Sequence, residues 1–152
     1  MTAQQVIEAL GLEPLEREGG MVRRTWEHGD DASAIYYLLE GRQFSHLHRL
    51  SCDEVYTFLM GDPVELLTIS PEGNAVRHVL GNDLSAGQAP QLAIDRGTWQ
   101  GSKLIAGGWA LLSTVCCPGY TDGAYEHCLH SGPLCEEYPE LAELIRALCP
   151  EK

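Results

Sequence analysis

The stretch Gly41–Gly61, GRQFSHLHRLSCDEVYTFLMG, sets His46 and His48 ahead of a polar break at Ser51-Cys52-Asp53. A second run then opens on Glu54 and closes on Gly61. In a β-strand, residues i and i+2 project from the same face. Read as a strand, Phe44–Leu50 sends both imidazoles into one space. Glu54 joins them from the next strand, and Tyr56 and Phe58 share its wall. Neighbouring strand residues face opposite ways, so Asp53 is left for a contact at the rim. Two histidines and a carboxylate converging on one cavity can bind a metal, run acid–base chemistry or orient a polar ligand.

The pattern around this stretch is one of short strands. Met21–Trp26, Ala34–Leu39, Phe44–Leu50, Val55–Met60, Val64–Ile69, Ala75–Leu80, Gln91–Ile94, Trp99–Ile105 and Trp109–Cys116 are β-rich runs separated by Gly, Asp, Glu and Pro. The pair Gly107-Gly108 reads as the turn of a hairpin. Strands this short, with turns between them, predict an all-β sandwich or barrel. Helical patterns occur only towards the two ends. Thr2 can cap a helix that carries Val6, Ile7 and Leu10 and stops at Gly11. Leu141, Leu144, Ile145 and Leu148 form a helical stripe that fits the outside of the barrel.

Composition bounds the partners. The chain has 152 residues, 44% of them hydrophobic, which predicts one domain over 1–152 with a core of ordinary size. The net charge of −12, with ten scattered Lys and Arg, argues against nucleic acid and against an anionic membrane surface. No apolar run has the roughly 18 residues of a membrane span. The N-terminal stretch lacks the basic and apolar regions of a signal peptide, so a cytoplasmic location is expected. The six cysteines include no C-x-x-C pair. His127-Cys128-Leu129-His130 with Cys135 has metal-capable atoms but no zinc-finger spacing, so free thiols are expected. No phosphate-binding glycine loop and no serine nucleophile elbow is present.

The first-motif spacing resembles that of the cupin superfamily, in which His-x-His is followed by Glu and, six residues on, by Gly. Glu54 and Gly61 fit, while five residues separate His48 from Glu54. The second cupin motif, P-x-G-x-x-H, has an echo in Asp95-Arg96-Gly97-Thr98-Trp99-Gln100, where Gln100 stands in the place of a metal histidine. Taken with EREGGMVRRTW (16–26), GNDLSAGQAPQLAIDRGTWQG (81–101) and CCPGY (116–120), the chain resembles the uncharacterised Cupin-5 family over nearly its whole length. That family is loosely similar to sugar-nucleotide epimerases of the deoxyrhamnose pathway.

The resemblance implies a double-stranded β-helix, a jelly-roll cupin barrel with short N- and C-terminal helices. It also implies a homodimer in which N-terminal strands pack on the partner. The expected ligand is a small, polar, sugar-like molecule held inside the barrel. His48 is the expected general base and Glu54 the group that orients and polarises it. His46, Tyr56, Gln100, Arg24 and Arg49 are the expected ligand-binding residues, with Gln100 and an arginine stabilising an enolate-like intermediate. No cofactor is expected. The alternatives are a non-catalytic binding protein and a cupin that binds a divalent transition metal through His46, His48 and Glu54. A neutral amide at Gln100 suits a hydroxyl or carbonyl better than a transition metal.

Overall fold

Alternation decides which side chains meet. Along Asp53–Gly61, residues Glu54, Tyr56 and Phe58 are buried while the residues between them are only partly covered. The computed structural model describes residues 1–151. In chain order its elements are α1 (Ala3–Leu10), β1 (Glu13–Pro14), β2 (Met21–His28), β3 (Ala32–Glu40), β4 (Phe44–Leu50), β5 (Asp53–Gly61) and β6 (Val64–Ile69). They continue with β7 (Ala75–Leu80), β8 (Gln91–Ile94), β9 (Trp99–Leu104), β10 (Trp109–Cys117), β11 (Tyr125–His127), α2 (Gly132–Glu137) and α3 (Ala142–Leu148).

The strands form two antiparallel sheets that face each other as a jelly roll. One has the order β1-β2-β3-β10-β5-β8 and the other β11-β4-β9-β6-β7. The expected hairpin at Gly107-Gly108 does not form. β9 belongs to one sheet and β10 to the other, so this glycine pair carries the chain across the barrel. Gly108 takes φ +131, and its carbonyl accepts from Gly41 N–H at 2.8 Å. Two glycines supply conformational freedom, and a sheet-to-sheet corner needs it as much as a hairpin does.

Inward residues of both sheets fill one half of the barrel. Leu39, Phe58, Val64, Leu66, Leu80, Ile94, Leu104 and Leu112 form this core, with Tyr37 and Tyr56 at its boundary. The same strands carry polar side chains further along the same face. β3 presents Ser33, β5 presents Glu54, and β10 presents Thr114 and Cys116. The half of the barrel they line is left open as a cavity.

Helices cover parts of the outer faces. α1 has a capping box between Thr2 and Gln5 and ends on Gly11 in the left-handed conformation. It packs Val6 on Leu38 and Leu111, behind the larger sheet. Leu144, Ile145 and Leu148 of α3 pack on Leu47, Leu67 and Ile69, behind the smaller one. No helix among the described residues is long and apolar enough to cross a membrane.

Candidate functional site

The cavity has a volume of about 200 Å³ and is lined in part by Leu15 and Glu18 of the loop before β2 and by Tyr120. Its polar wall brings together His48 from β4, Glu54 and Tyr56 from β5, Tyr37 from β3 and Glu18 from the loop before β2. Leu15, Val22, Ile35 and Leu50 form the apolar remainder. An apolar pocket with a few convergent polar groups is the usual form of a small-molecule site.

His48 is held by backbone. Its side chain is 2% exposed, and Nδ1 lies 2.6 Å from the carbonyl oxygen of His46. A carbonyl only accepts, so Nδ1 carries the proton and Nε2 of the neutral ring keeps a lone pair. Nε2 lies 3.9 Å from Glu18 Oε1. The ring stacks on Tyr125, with centroids 4.9 Å apart. Burial lowers the His48 pKa, against the pull of the His46 carbonyl and the Glu54 charge. The imidazole is therefore a neutral base at neutral pH. The expected division of labour changes here, because the His46 carbonyl orients the ring and Glu54 acts on it only through its charge.

Glu54 is buried, as the alternation in β5 predicts, while Asp53 forms the rim contact with Arg96 at 2.7 Å. That bond holds the Asp53 carboxyl near 2. Burial pushes Glu54 the other way, helped by the nearby Glu18 charge. His48, the Thr114 hydroxyl and the Gln100 amide stand close enough to oppose that rise. The Cys116 thiol donates to Glu54 Oε2 over 3.6 Å. Glu54 Oε1 and Gln100 Oε1 are buried and have no direct hydrogen-bond partner among the described residues. Unpaired buried acceptors are costly, and of the two only Glu54 lines the cavity, where a hydroxyl could donate to it.

Three expected ligand-binding residues sit elsewhere. β4 pairs Ser45 with Ser102 but His48 with Gln100, so a β-bulge falls between them. The extra residue shifts the phase of the strand. Ser45 and His48 both face inward, and His46 is turned out of the shared space. His46 stacks on His127 at 3.7 Å between centroids and lines a separate pocket with Cys128, Leu129 and His130. Arg49 points outward, with Nε bonded to Glu126 at 2.6 Å and its guanidinium 4.6 Å over the Trp99 ring. Gln100 is buried on β9, close to Glu54 but not among the residues that line the cavity. Arg24 does line the cavity, at its mouth, where it donates to the Tyr120 carbonyl at 3.0 Å and pairs with Glu27.

The bulge also bears on the metal alternative. His46, His48 and Glu54 do not converge, and no cluster of three or more His, Cys, Asp or Glu among the described residues is arranged to hold a metal ion. The residue set at this site does not fit the metal centre that the cupin fold suggests. The cysteines are free thiols, with Cys117 exposed and the others buried.

Sequence reasoning missed Glu18. It lies in a loop, outside any periodic pattern, and only the following Gly19-Gly20 marks the place. Both glycines have positive φ, and a Cβ on Gly20 would sit 2.7 Å from Tyr37 Oη and 2.9 Å from the Leu38 carbonyl. The chain can therefore pass close to β3, where the Tyr37 hydroxyl donates to the Gly19 carbonyl at 2.7 Å. Backbone N–H of His46 donates to the Glu18 carbonyl at 2.7 Å, and the Ser45 hydroxyl donates to Glu18 Oε1 at 2.8 Å. These bonds place the carboxyl against His48. Burial raises its pKa to about 7, although the Ser45 bond lowers it.

Comparison with known proteins agrees with this architecture. A family model described as Cupin superfamily (DUF985) matches residues 4–128. A protein of known structure from Shewanella oneidensis is 31% identical, with a TM-score of 0.89 over 100% of this chain and 99% of that one. A hypothetical protein from Leishmania major is 25% identical, with a TM-score of 0.88 over 99% of this chain and 100% of its own. Oxalate decarboxylase from Bacillus subtilis shares the fold at 11% identity, with a TM-score of 0.62 over 93% of this chain and 38% of its own. No curated protein matches.

Proposed function

The chain belongs to the cupin superfamily, in the family described as DUF985, and from that premise we propose that its barrel interior binds a small uncharged hydroxycarbonyl compound and moves a proton on it. The superfamily includes enzymes and binding proteins. The observation that carries the catalytic reading is the commitment of His48 Nδ1 to a backbone carbonyl, which leaves Nε2 as a buried base beside the cavity.

A cavity of about 200 Å³ has the volume of roughly seven waters at ~30 Å³ each. It suits a free sugar-like molecule, not a nucleotide sugar. Its buried ionisable groups favour their uncharged forms, since burial raises Glu18 and Glu54 and lowers His48. An uncharged ligand with hydroxyl and carbonyl groups matches that wall. His48 Nε2 would take the proton next to the carbonyl, as an epimerase or isomerase requires. Arg24 would contact the ligand at the mouth.

The test is a thermal-shift screen of sugars and small hydroxycarbonyl compounds, followed by incubation of each hit in heavy water. Deuterium entering a C–H position in the presence of the protein, and not with His48→Ala, supports the reading. Binding without exchange supports the alternative of a non-catalytic metabolite-binding protein.

A second copy of the chain is the proposed protein partner. Beyond Met21–Val22, which pair with β1, the outer edge of β2 is unpaired, and Trp26 on that strand is 51% exposed. Open edges of this kind are usually covered.

A further inference from the structure

We infer that Glu18 is a second catalytic residue, the acid that protonates the carbonyl oxygen of the ligand while His48 removes the carbon-bound proton. This rests on the proton-transfer reading above and supplies the part that reading lacks. An enolate-like intermediate needs a donor at its oxygen. Gln100 is not among the residues that line the cavity, and Arg49 lies outside the barrel. Glu18 lines the cavity, with Oε1 3.9 Å from His48 Nε2, so both reach one small molecule.

The step balances within the pair. The C–H electron pair becomes the C=C bond as Nε2 gains the proton. The C=O π pair forms a new O–H bond with the proton that leaves Glu18. The products are an enediol, an imidazolium and a carboxylate, and the last two stand as an ion pair. Two neutral groups become two opposite charges in contact, which a low-dielectric cavity tolerates far better than one isolated charge. Reversal delivers the proton to carbon, with Glu18 recovering its own.

Local structure supports an acid at this position. The Ser45 hydroxyl donates to Oε1 and the loop backbone is bonded to β4 and β3, so the carboxyl is fixed without a permanent cation. The groups that face it are His48 from β4, Glu54 from β5, Tyr37 from β3, Tyr125 from β11, Tyr120 beyond β10 and, within its own loop, Arg17. Arg17 itself lies 4.9 Å over the Tyr125 ring. Catalysis needs neutral His48 and protonated Glu18, so exchange should be bell-shaped in pH, with its alkaline limb near 7.

Two measurements separate this role from the reading it rests on. The first is NMR titration of the His48 ring in the whole protein without ligand. Glu18→Gln should remove the inflection near pH 7 that ionisation of Glu18 leaves on the His48 ring signals and leave a single titration step, whereas a His48 curve identical in both proteins overturns the pairing, whether or not any compound is turned over. The second is the pH profile of deuterium exchange. Glu18→Gln should lose about a hundredfold or more in rate together with the alkaline limb. Ser45→Ala keeps the acid but removes a bond to its charged form, so its alkaline limb should move to higher pH. Exchange by Glu18→Gln at the wild-type rate, or an unmoved limb in Ser45→Ala, contradicts the role of Glu18 while leaving that of His48 intact. Absence of exchange in the wild-type protein removes the parent reading instead.

Discussion

Nε2 of His48 and Oε1 of Glu18 lie 3.9 Å apart inside the barrel, one fixed by a strand and the other by a glycine-bounded loop. The approach puts the His48 lone pair and the Glu18 carboxyl on the wall of one cavity. It also makes the loop 15–20 part of the site.

That loop should therefore tolerate little change at Gly20. Its φ is +77, and an added Cβ would meet Tyr37 and the Leu38 carbonyl within 3 Å. Gly20→Ala is expected to cost at least about 1–2 kcal/mol in chemical denaturation. It should also weaken ligand binding, because displacing the loop moves Glu18. Gly29→Ala is the control, since a Cβ there meets nothing within 4 Å and φ is again positive at +51. Ligand affinity should be unchanged in that variant.

Stability should carry the signature of Glu18. Its folded pKa of about 7 stands above the ordinary 4.5. Stability from this group is complete below pH 4.5 and is lost as pH rises through 7. At ~1.4 kcal/mol per pKa unit, and discounted for slight solvent access, the loss is about 2–3 kcal/mol. His48 acts in the opposite sense, since a lowered pKa adds stability above its ordinary 6.5 that is lost on acidification. The difference between wild-type and Glu18→Gln melting curves isolates the carboxyl. The variant should gain on the wild type as pH rises from 4.5 to 7 and keep that gain above 7.

Histidine substitutions should divide by face, not by motif. His48→Ala is expected to abolish binding of any cavity ligand, a loss of tenfold or more. His46→Ala and His78→Ala should leave it within about twofold, because His46 stacks on His127 outside the cavity and His78 bonds Thr68 on the far strands. Isothermal calorimetry on the three variants reads this directly. Equal losses for His46→Ala and His48→Ala would mean that the bulge in β4 does not separate them.

Assembly gives a further expectation. Light scattering at micromolar concentration should report two chains of 16.7 kDa each. Trp26→Glu on the open edge of β2 should shift the population towards monomer, and a monomeric wild-type protein would contradict the proposed pairing.

The sequence made the strands legible because their alternation and turn chemistry agree. Phe44–Leu50, Val64–Ile69, Ala75–Leu80 and Gln91–Ile94 start and end where the pattern of residues says they should. Glu54 was legible for the same reason, as was the rim position of Asp53. His46 was not, because a bulge adds a residue without any mark in composition, and strict alternation then carries a side chain to the wrong face. Gly107-Gly108 was ambiguous at source, since a corner between sheets and a hairpin make the same demand on φ. Glu18 was hidden for a different reason. Its role comes from long-range contact with β4, and no local period encodes that. The short β11 lacked the length to show alternation, yet it supplies Tyr125 against His48.

The central claim is that the cavity around His48 and Glu54 is where this protein holds its ligand. A crystal structure with the best compound from the thermal-shift screen tests it most directly. The account predicts the compound inside the barrel, with one oxygen or carbon-bound hydrogen facing His48 Nε2 and another oxygen within ~3 Å of the Glu18 or Glu54 carboxyl. A compound bound instead in the outer pocket between His46, His127 and His130, with the barrel cavity unchanged, would contradict it.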